Sequence, residues 1–307
     1  ENHYEHIEPK SRIRQIIDQW RADPLINMAK ENFVLLMGQL RNEPRFATDP
    51  VSGVESALFQ LWVVRRNPND EAGNISPKWD KPLISTTEPS LVRKIKEFKL
   101  HDIIEIEGIF RTQNAMRRKI CPECNTAVLI PTPVSTIYPT YVDRVTHLNN
   151  DTEGFQYLYT RAEHSNHAKV IGRVCTPTDK ILHGETDHGD LYARYQLAVN
   201  RKLFVKDSID EEDHTDYPFV YSYGDVADKD LTILKQGTLI YLDGYLHTMV
   251  FEDEAECSEC HNIFPFKYQR MNLTPYSTEY LRDYDELTPS THSDISKVDE
   301  GMEPNQE

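Results

Sequence analysis

The chain repeats itself, and this duplication constrains its fold more than any other feature. Cys121-Pro-Glu-Cys124 recurs as Cys257-Ser-Glu-Cys260, and we call the spacing from Cys121 to Cys257 the repeat offset. At the same offset, residues 59–65 align with 195–201, Pro82 with Pro218, and residues 108–112 with 244–248. A slightly shorter offset aligns Gly38 with Gly172, as a loop of different length between two strands would produce. Ordered self-similarity of this extent predicts two copies of one domain.

Each copy has the same predicted order of elements. Apolar residues alternate with other residues in the segments that we predict to be strands, as they do in half-buried strands. The predicted strands are residues 32–38, 58–65, 82–87 and 103–112 in the first copy, and 167–172, 192–201, 218–223 and 239–248 in the second. A short helix precedes each fourth strand, at residues 88–98 and 225–234, and a hairpin with the Cys-x-x-Cys pair follows it. This order predicts a mainly β protein of two tandem OB-fold barrels, each a five-stranded Greek key.

The boundaries of the predicted domains follow from the repeat. We expect the first barrel, unit one, at residues 30–130 and the second, unit two, at residues 166–278. Residues 131–165 contain Pro131, Pro133 and Pro139 and are interpreted as a linker with a helix at 153–163. An amphipathic helical extension is predicted at residues 1–29, and an acidic, disordered tail at residues 279–307.

The paired cysteines indicate a metal site. Each Cys-x-x-Cys turn supplies two thiolates, and a structural zinc site needs four ligands, so Cys121, Cys124, Cys257 and Cys260 together complete one site that links the two units. Alternatively, each pair finds further ligands locally, such as His261, or in another chain. Metal-free thiols or a redox pair are the remaining interpretation.

The second unit resembles the bacterial single-stranded DNA-binding protein family, including its plasmid and phage members. The resemblance rests on the alternating strand Tyr195-Gln-Leu-Ala-Val-Asn-Arg201, the aromatic strand that ends at Gly224, and the run from Leu234 to Thr248 with Gly237 and Gly244. Unit one keeps Gly108 and Thr112 but has His101 in place of the glycine before its fourth strand. The cysteine pairs are not a general feature of that family, and the chain ends at Asn305-Gln-Glu307 without the family's Ile-Pro-Phe tip.

The resemblance implies a non-catalytic protein that coats single-stranded DNA, with RNA as an alternative ligand. It implies base stacking at Tyr217, Tyr223 and Phe251, with another aromatic contact near Phe204. By alternation along the strand, Phe219 lies on the same face as Tyr217, Tyr221 and Tyr223, but it is expected to fill the barrel core. Four OB units per particle, and therefore a homodimer of this chain, are implied as well, with replication or recombination proteins as further partners.

Charge is divided unequally between the units. The formal net charge is -16, which opposes binding of a polyanion, but the acidic residues are concentrated in unit two and the tail. Unit one lacks the aromatic row, and we expect it to contribute charge together with an outward-facing Trp62. The basic residues expected to contact the strand are Arg65, Arg66, Arg111, Arg117 and Arg118 in unit one and Arg201 and Lys202 in unit two.

The remaining motifs give no indication of catalysis. The sequence contains no phosphate-binding loop, no G-x-S-x-G and no H-E-x-x-H, so we do not expect an enzyme. Neither a membrane span nor a secretion signal is expected, and a cytoplasmic protein is predicted, in a host cell if a phage or plasmid encodes it. The alternatives are a protein–protein adaptor built on OB barrels and a zinc-containing accessory subunit of a replication or transcription assembly.

Overall fold

The computed structural model describes residues 32–65, 78–201 and 215–282. The predicted N-terminal extension and the tail beyond residue 282 lie outside these ranges, as do Arg66, Lys202 and Phe204. No helix in the described part of the chain has the length and apolar character needed to cross a membrane.

Strands make up most of both units, which confirms the prediction of a mainly β protein. Unit one contains β1 (Asn32–Gln39), β2 (Arg45–Thr48), β3 (Glu55–Gln60), β4 (Trp62–Arg65), β5 (Lys78–Asp80), β6 (Leu83–Thr86), α1 (Pro89–Ile95), β7 (Asp102–Ile120) and β8 (Ala127–His147). The connection contains α2 (Asp151–Tyr159), capped by Asn150, and α3 (Ala162–Ser165). Unit two contains β9 (Asn166–Val174), β10 (Leu182–Glu185), β11 (Leu191–Asn200), β12 (Thr215–Asp216), β13 (Phe219–Tyr223), α4 (Gly224–Ile233), β14 (Leu239–Glu256) and β15 (Ile263–Arg282).

Each unit closes into a five-stranded barrel. In unit one, β1 pairs with β7, β7 with β8, β8 in parallel with β6, and β6 with β3. The chain continues from β3 into β4, which returns to pair with β1 and closes the ring. In unit two, β9, β14, β15, β13 and β11 repeat the same circuit. This connectivity is that of an OB fold, as the sequence predicts.

The duplication extends to the register of the strands. Ile84 opposes Ile137 in unit one, and the residues that follow these two at the repeat offset, Val220 and Leu273, oppose each other in unit two. The irregularity in register before Gly108 likewise recurs before Gly244. Gly108 and Gly244 sit where an added Cβ would collide with the backbone of the neighbouring strand, which explains why both copies carry glycine there.

The first strands of the two barrels join the units into one continuous sheet. The first half of β1 pairs antiparallel with the first half of β9, from Asn32 opposite Val170 to Leu36 opposite Asn166. The strand order is therefore symmetrical about this β1–β9 pair. Asn32 and Asn166 are buried. Asn32 exchanges two hydrogen bonds with the backbone of Phe110 in β7, and Asn166 does the same with Leu246 in β14.

Two buried ion pairs hold the units together reciprocally. In unit one, the Arg65 guanidinium lies 3.0 Å from the Asp80 carboxylate, which accepts hydrogen bonds from the backbone N–H and hydroxyl of Thr248 in unit two. In unit two, Arg201 makes two contacts with Asp216, which in turn accepts from the N–H and hydroxyl of Thr112 in unit one.

Both carboxylates of these reciprocal pairs have no solvent exposure. Burial raises the pKa of Asp80, and the positive charge of Arg65 opposes that rise. A buried carboxylate is costly unless it is paired and fully hydrogen-bonded. Each aspartate is fully hydrogen-bonded only when the other unit is in place, because the threonine that donates to it belongs to that unit.

The predicted linker at residues 131–165 is wrong in its first half. β8 runs through Pro131, Pro133 and Pro139 to His147, and β7 and β14 are also much longer than predicted. Prolines are tolerated at Pro131 and Pro133 because β8 pairs there with β7 alone among the described strands, so the missing N–H groups cost no strand pairing. The long hairpins project beyond the barrels, and we call them arm one (residues 113–133) and arm two (residues 249–269).

Candidate nucleic-acid interface and cysteine cluster

Alternating aromatic rings and guanidinium groups cover one face of unit two, and we call this set the ladder. The Arg194 guanidinium carbon lies 4.5 Å from the centre of the Phe219 ring, and that of Arg270 lies 4.9 Å from the same centre. Arg270 also lies 5.0 Å from the Phe251 ring, which stacks on Tyr268 at 5.8 Å. The ladder comprises Arg194, Phe219, Phe251, Tyr268 and Arg270. Phe266 stacks on Tyr268 but is itself buried.

Strand register explains how the ladder forms. Directly opposed residues of an antiparallel pair lie on the same face, so Phe251 and Tyr268 are neighbours across β14 and β15, and Met249 and Arg270 follow on the same face. Side chains alternate along a strand, which places Phe219 on this face and the fully buried Val220 on the opposite one. Phe219 is therefore a ladder residue, and its predicted placement in the barrel core is wrong.

The two arginines of the ladder have no carboxylate partner among the described residues. Arg194 and Arg270 are half-buried, and aromatic rings rather than acids face their charges. Their Nε atoms are buried and without a hydrogen-bond acceptor. Burial lowers the pKa of Arg270, while the Tyr268 hydroxyl accepts a hydrogen bond from its guanidinium. The ladder thus offers flat rings and positive charge, and no carboxylate within residues 32–65, 78–201 and 215–282 competes for that charge.

Unit one lacks the ladder at every equivalent position. The residues that correspond to the ladder through the repeat offset are Leu58, Leu83, Ala115, Thr132 and Val134. In place of the ladder, unit one borders a cleft of about 510 Å³ that Gln269 and Met271 of unit two also line. Its unit-one lining includes the apolar Leu58, Leu83 and Val134, several polar side chains, the basic Arg45, Lys81 and Arg117, and one acid, Glu43. The two faces have therefore diverged into a ring-rich surface and a polar cleft in which basic residues outnumber acidic ones.

The structure separates the basic residues predicted to contact a strand. Arg65 and Arg201 belong to the buried ion pairs between the units, so their guanidinium groups stabilise the fold. Arg111 is half-buried and lies 5.5 Å from the Tyr138 ring. Arg117 faces the cleft, and Arg118 is exposed. They do not form the single basic surface that the sequence suggests.

Trp62 is partly covered by cations and by a second tryptophan. The Lys81 ammonium lies 3.9 Å from the centre of its ring, and the Arg41 guanidinium 4.6 Å from it. Trp79 contacts the Trp62 edge at 5.8 Å. Trp62 therefore does not face open solvent, as its predicted outward orientation would suggest, because these three side chains contact its ring.

The predicted stacking residues occupy three different environments. Phe251 belongs to the ladder. Tyr217 is exposed, and its backbone N–H donates to the Thr112 hydroxyl of unit one. Tyr223 is half-buried, and burial, followed by the nearby Tyr245, raises its pKa to about 12. The sequence analysis did not identify Arg194, Tyr268 and Arg270 as binding residues. The available indication was that unit one has different residues at the three equivalent positions, which suggests a function specific to unit two.

The four paired cysteines meet at the tips of the arms. The Sγ atoms of Cys121, Cys124, Cys257 and Cys260 lie within 4.8 Å of one another. Across the units, Cys121 Sγ lies 3.7 Å from Cys260 Sγ, and Cys124 Sγ lies 3.5 Å from Cys257 Sγ. His261 is not among the clustered ligands, since its ring contacts Glu256 at 2.8 Å.

Local backbone geometry is the same in the two cysteine turns. The residue after each second cysteine has a positive φ, 58° at Asn125 and 57° at His261. Each of these residues donates its N–H to the carbonyl oxygen of the first cysteine, Cys121 or Cys257. The left-handed residue reverses the chain so that both sulfurs of a turn point in one direction.

The electrostatics of the cluster suit a bound cation. Hydrogen bonds from the side chain and backbone of Thr126 lower the pKa of the Cys124 thiol to about 6. At Cys260, the Asn262 N–H lowers the pKa, but desolvation and the neighbouring sulfurs raise it to about 12. Four thiolates cannot share so small a space without a positive charge between them. Tetrahedral zinc with Zn–S bonds of about 2.3 Å needs sulfurs about 3.8 Å apart, close to the observed distances.

Comparisons with known proteins agree with this fold. Wild-type single-stranded DNA-binding protein from Thermus aquaticus has a TM-score of 0.55 and 14% identity, and the alignment covers 82% of this chain and 93% of that one. A deletion mutant of the same Thermus aquaticus protein has a TM-score of 0.52 and 14% identity, with 85% and 97% covered. No curated protein sequence matches the chain. Residues 165–262 match the model of the single-strand binding protein family. Residues 165–262 are therefore similar to the single-strand binding protein family.

Proposed function

We propose that this chain is a non-catalytic binder of single-stranded DNA, with the ladder of unit two as the surface on which bases stack. The observation that carries the proposal is the pairing of aromatic rings with two arginines that lack a carboxylate partner among the described residues. The family of residues 165–262 and the named function of the Thermus aquaticus proteins support the same conclusion. A role in replication, recombination or DNA transfer in the cytoplasm is part of the proposal.

The chemistry of the ladder matches that of an unpaired strand. Stacking of a base on an aromatic ring contributes about 1–3 kcal/mol with little dependence on sequence. A phosphate beside Arg194 or Arg270 would gain a charge-assisted hydrogen bond to a guanidinium that now faces only rings. Two such contacts also explain how a chain with a net charge of -16 can bind a polyanion, because binding depends on the local charge along the path.

Unit one is proposed to guide the backbone of the strand rather than its bases. Its cleft brings together Arg45, Lys81 and Arg117 but offers no stacked rings like those of the ladder. We therefore still propose that unit two stacks the bases and that unit one supplies charge. The basic residues of unit one in this proposal are Arg45, Lys81 and Arg117, and Arg65 is no longer among them.

Fluorescence anisotropy with a labelled oligo-dT tests the proposed function. We expect tight binding of oligo-dT at low salt, weaker binding as salt increases, and much weaker binding of a duplex of equal length, because paired bases cannot reach the ladder. An oligo-rU probe measures the preference for DNA over RNA. Absence of oligo-dT binding at low salt would contradict the proposal and leave the adaptor interpretation.

We further propose that the four cysteines hold one structural zinc ion that ties the two units together. Bound zinc would neutralise the thiolates and fix the tetrahedral arrangement of sulfurs. The residues that would hold it are Cys121 and Cys124 of arm one and Cys257 and Cys260 of arm two. Packing of Phe264 and Phe266 against Val128 provides the small apolar core around the cluster.

Metal analysis of purified protein gives a direct prediction. We expect one zinc ion per chain by atomic emission, and loss of that ion in Cys257→Ser, because three remaining thiolates no longer close the site. Cys175→Ser is the matched control, since Cys175 lies apart from the cluster and donates to the Gln196 carbonyl. Protein purified without zinc, or with full zinc in Cys257→Ser, would contradict the shared site.

A further inference from the structure

The two arms pack face to face, which leaves each with an outer face directed away from the other. Val128 of arm one contacts the cluster formed by Phe264 and Phe266 of arm two, so these residues define the inner faces. Side chains alternate along a strand, so the residues that alternate with these inner ones point away from the other arm. The outer faces of the two arms therefore lie on opposite sides of the paired arms. The outer face of arm one contains Met116, Arg118, Ile120 and Leu129. That of arm two contains Val250, Glu252, Glu254, Glu256 and Ile263, together with Lys267, which pairs with Glu252.

Both outer faces expose large apolar side chains to solvent. Met116 and Leu129 are each 60% exposed on arm one, and Val250 and Ile263 are 70% and 62% exposed on arm two. In a solvated hairpin arm, apolar residues would normally be placed inward, so two such faces indicate surfaces that become covered.

The same faces carry opposite charges at equivalent positions of the repeat. Arg118 of arm one corresponds to Glu254 of arm two, both are exposed, and neither forms an ion pair within the described residues. Met116 and Ile120 are uncharged and correspond to Glu252, which pairs with Lys267, and Glu256, which contacts His261. Divergence from one ancestral face has therefore produced a basic apolar surface and an acidic apolar surface that are complementary to each other.

We propose that the outer face of arm one docks on the outer face of arm two of a second copy of this chain. Apolar contact between Leu129 and Ile263, flanked by Arg118 and Glu254, would cover the exposed side chains on both copies. The contact is heterologous, since different surfaces meet, and each joined pair still presents a free face at either end. Repetition of the contact therefore builds an open, head-to-tail row of molecules rather than a closed dimer.

The small size of these faces sets the strength of the contact. Two hairpin faces with a few exposed residues bury less than the roughly 1,200 Å² of a standard stable interface, so the contact is weak for free protein. Neighbouring copies held on one nucleic-acid strand have a high effective concentration, which strengthens such a contact without new interactions. Association of the free protein is independent of the proposed function, so the two ideas can fail separately.

Sedimentation velocity of the full-length chain without nucleic acid tests the proposal. We expect the average mass to increase with protein concentration beyond two chains at low salt, and to fall as salt screens the charges. Arg118→Glu and Glu254→Arg should each raise the apparent dissociation constant about fivefold or more, because attraction becomes repulsion. Mixing the two variants in equal amounts should restore association, since each acidic face then meets a basic face.

Matched controls on a distant exposed helix separate this contact from general charge effects. Arg93→Glu and Glu97→Arg change the net charge equally but lie on α1 and just beyond its end, and should associate like the wild type. Circular dichroism confirms that each variant is folded. The proposal is overturned by a wild type that stays a single species or stops at two chains, by single variants that associate normally, or by a mixture that does not recover.

Discussion

Asp216→Ala is expected to lower the free energy of unfolding by about 3–5 kcal/mol, because it removes a buried carboxylate that is paired with a cation and hydrogen-bonded across the two units. Arg201 would lose both of its contacts with this carboxylate, and the Thr112 N–H of unit one would lose its acceptor. Since Asp216 lies in unit two and Thr112 in unit one, the loss should weaken the junction between the units as well as the second barrel.

Tryptophan fluorescence during urea unfolding measures this coupling. Trp62 and Trp79 both lie in unit one, Trp20 precedes it in the sequence, and unit two contains no tryptophan. A change in unit two that shifts the tryptophan transition therefore acts through the junction. Glu55→Ala is the matched control, because Glu55 pairs with Lys96 on the surface and should cost at most about 1 kcal/mol. Equal losses in the two variants would contradict the structural role of the Asp216 pair.

Phe219→Leu and Phe251→Leu are each expected to weaken oligo-dT binding by about fivefold to 150-fold. This range corresponds to the stacking free energy of one base on one ring, about 1–3 kcal/mol. Leucine keeps the apolar volume beside Arg270 but removes the flat face, so the fold should be retained. Anisotropy titrations at one fixed salt concentration measure the effect, with the melting temperature of each variant as the test of folding.

Phe46→Leu controls for the loss of an aromatic ring outside the ladder. Phe46 is a partly exposed residue of β2 in unit one, where only Lys96 approaches its ring among the cation contacts described. Its replacement should leave the affinity for oligo-dT nearly unchanged. If the two ladder variants bind as well as Phe46→Leu does, bases do not stack on the ladder.

The architecture could be predicted from sequence because it is encoded locally and twice. Alternation of apolar residues marks each strand, and the repeat offset from Cys121 to Cys257 determines which elements correspond. The length of the arms was not predictable in this way. Pro131 and Pro133 look like linker residues, and only the absence of a second neighbouring strand makes them compatible with β8.

The ladder and the ion pairs were less accessible to sequence reasoning because they depend on contacts between distant strands. Arg194 and Arg270 are far apart in the sequence and gain meaning only when β11, β13 and β15 bring both to Phe219. The sequence suggests a phosphate contact for Arg65, although Asp80 follows Arg65 at the same spacing as Asp216 follows Arg201. The Arg–Asp pair occurs in both copies and has a structural role, whereas Arg194 and Arg270 occur in unit two alone and belong to the ladder.

Photocrosslinking of the wild-type chain to an oligonucleotide with 5-iodouracil tests the central claim most directly. If bases stack on the ladder, mass spectrometry should place the crosslinks at Phe219, Phe251 and Tyr268 of unit two, and excess unlabelled oligo-dT should abolish them. Crosslinks confined to unit one, for example at Trp62, or spread equally over both units would contradict the account.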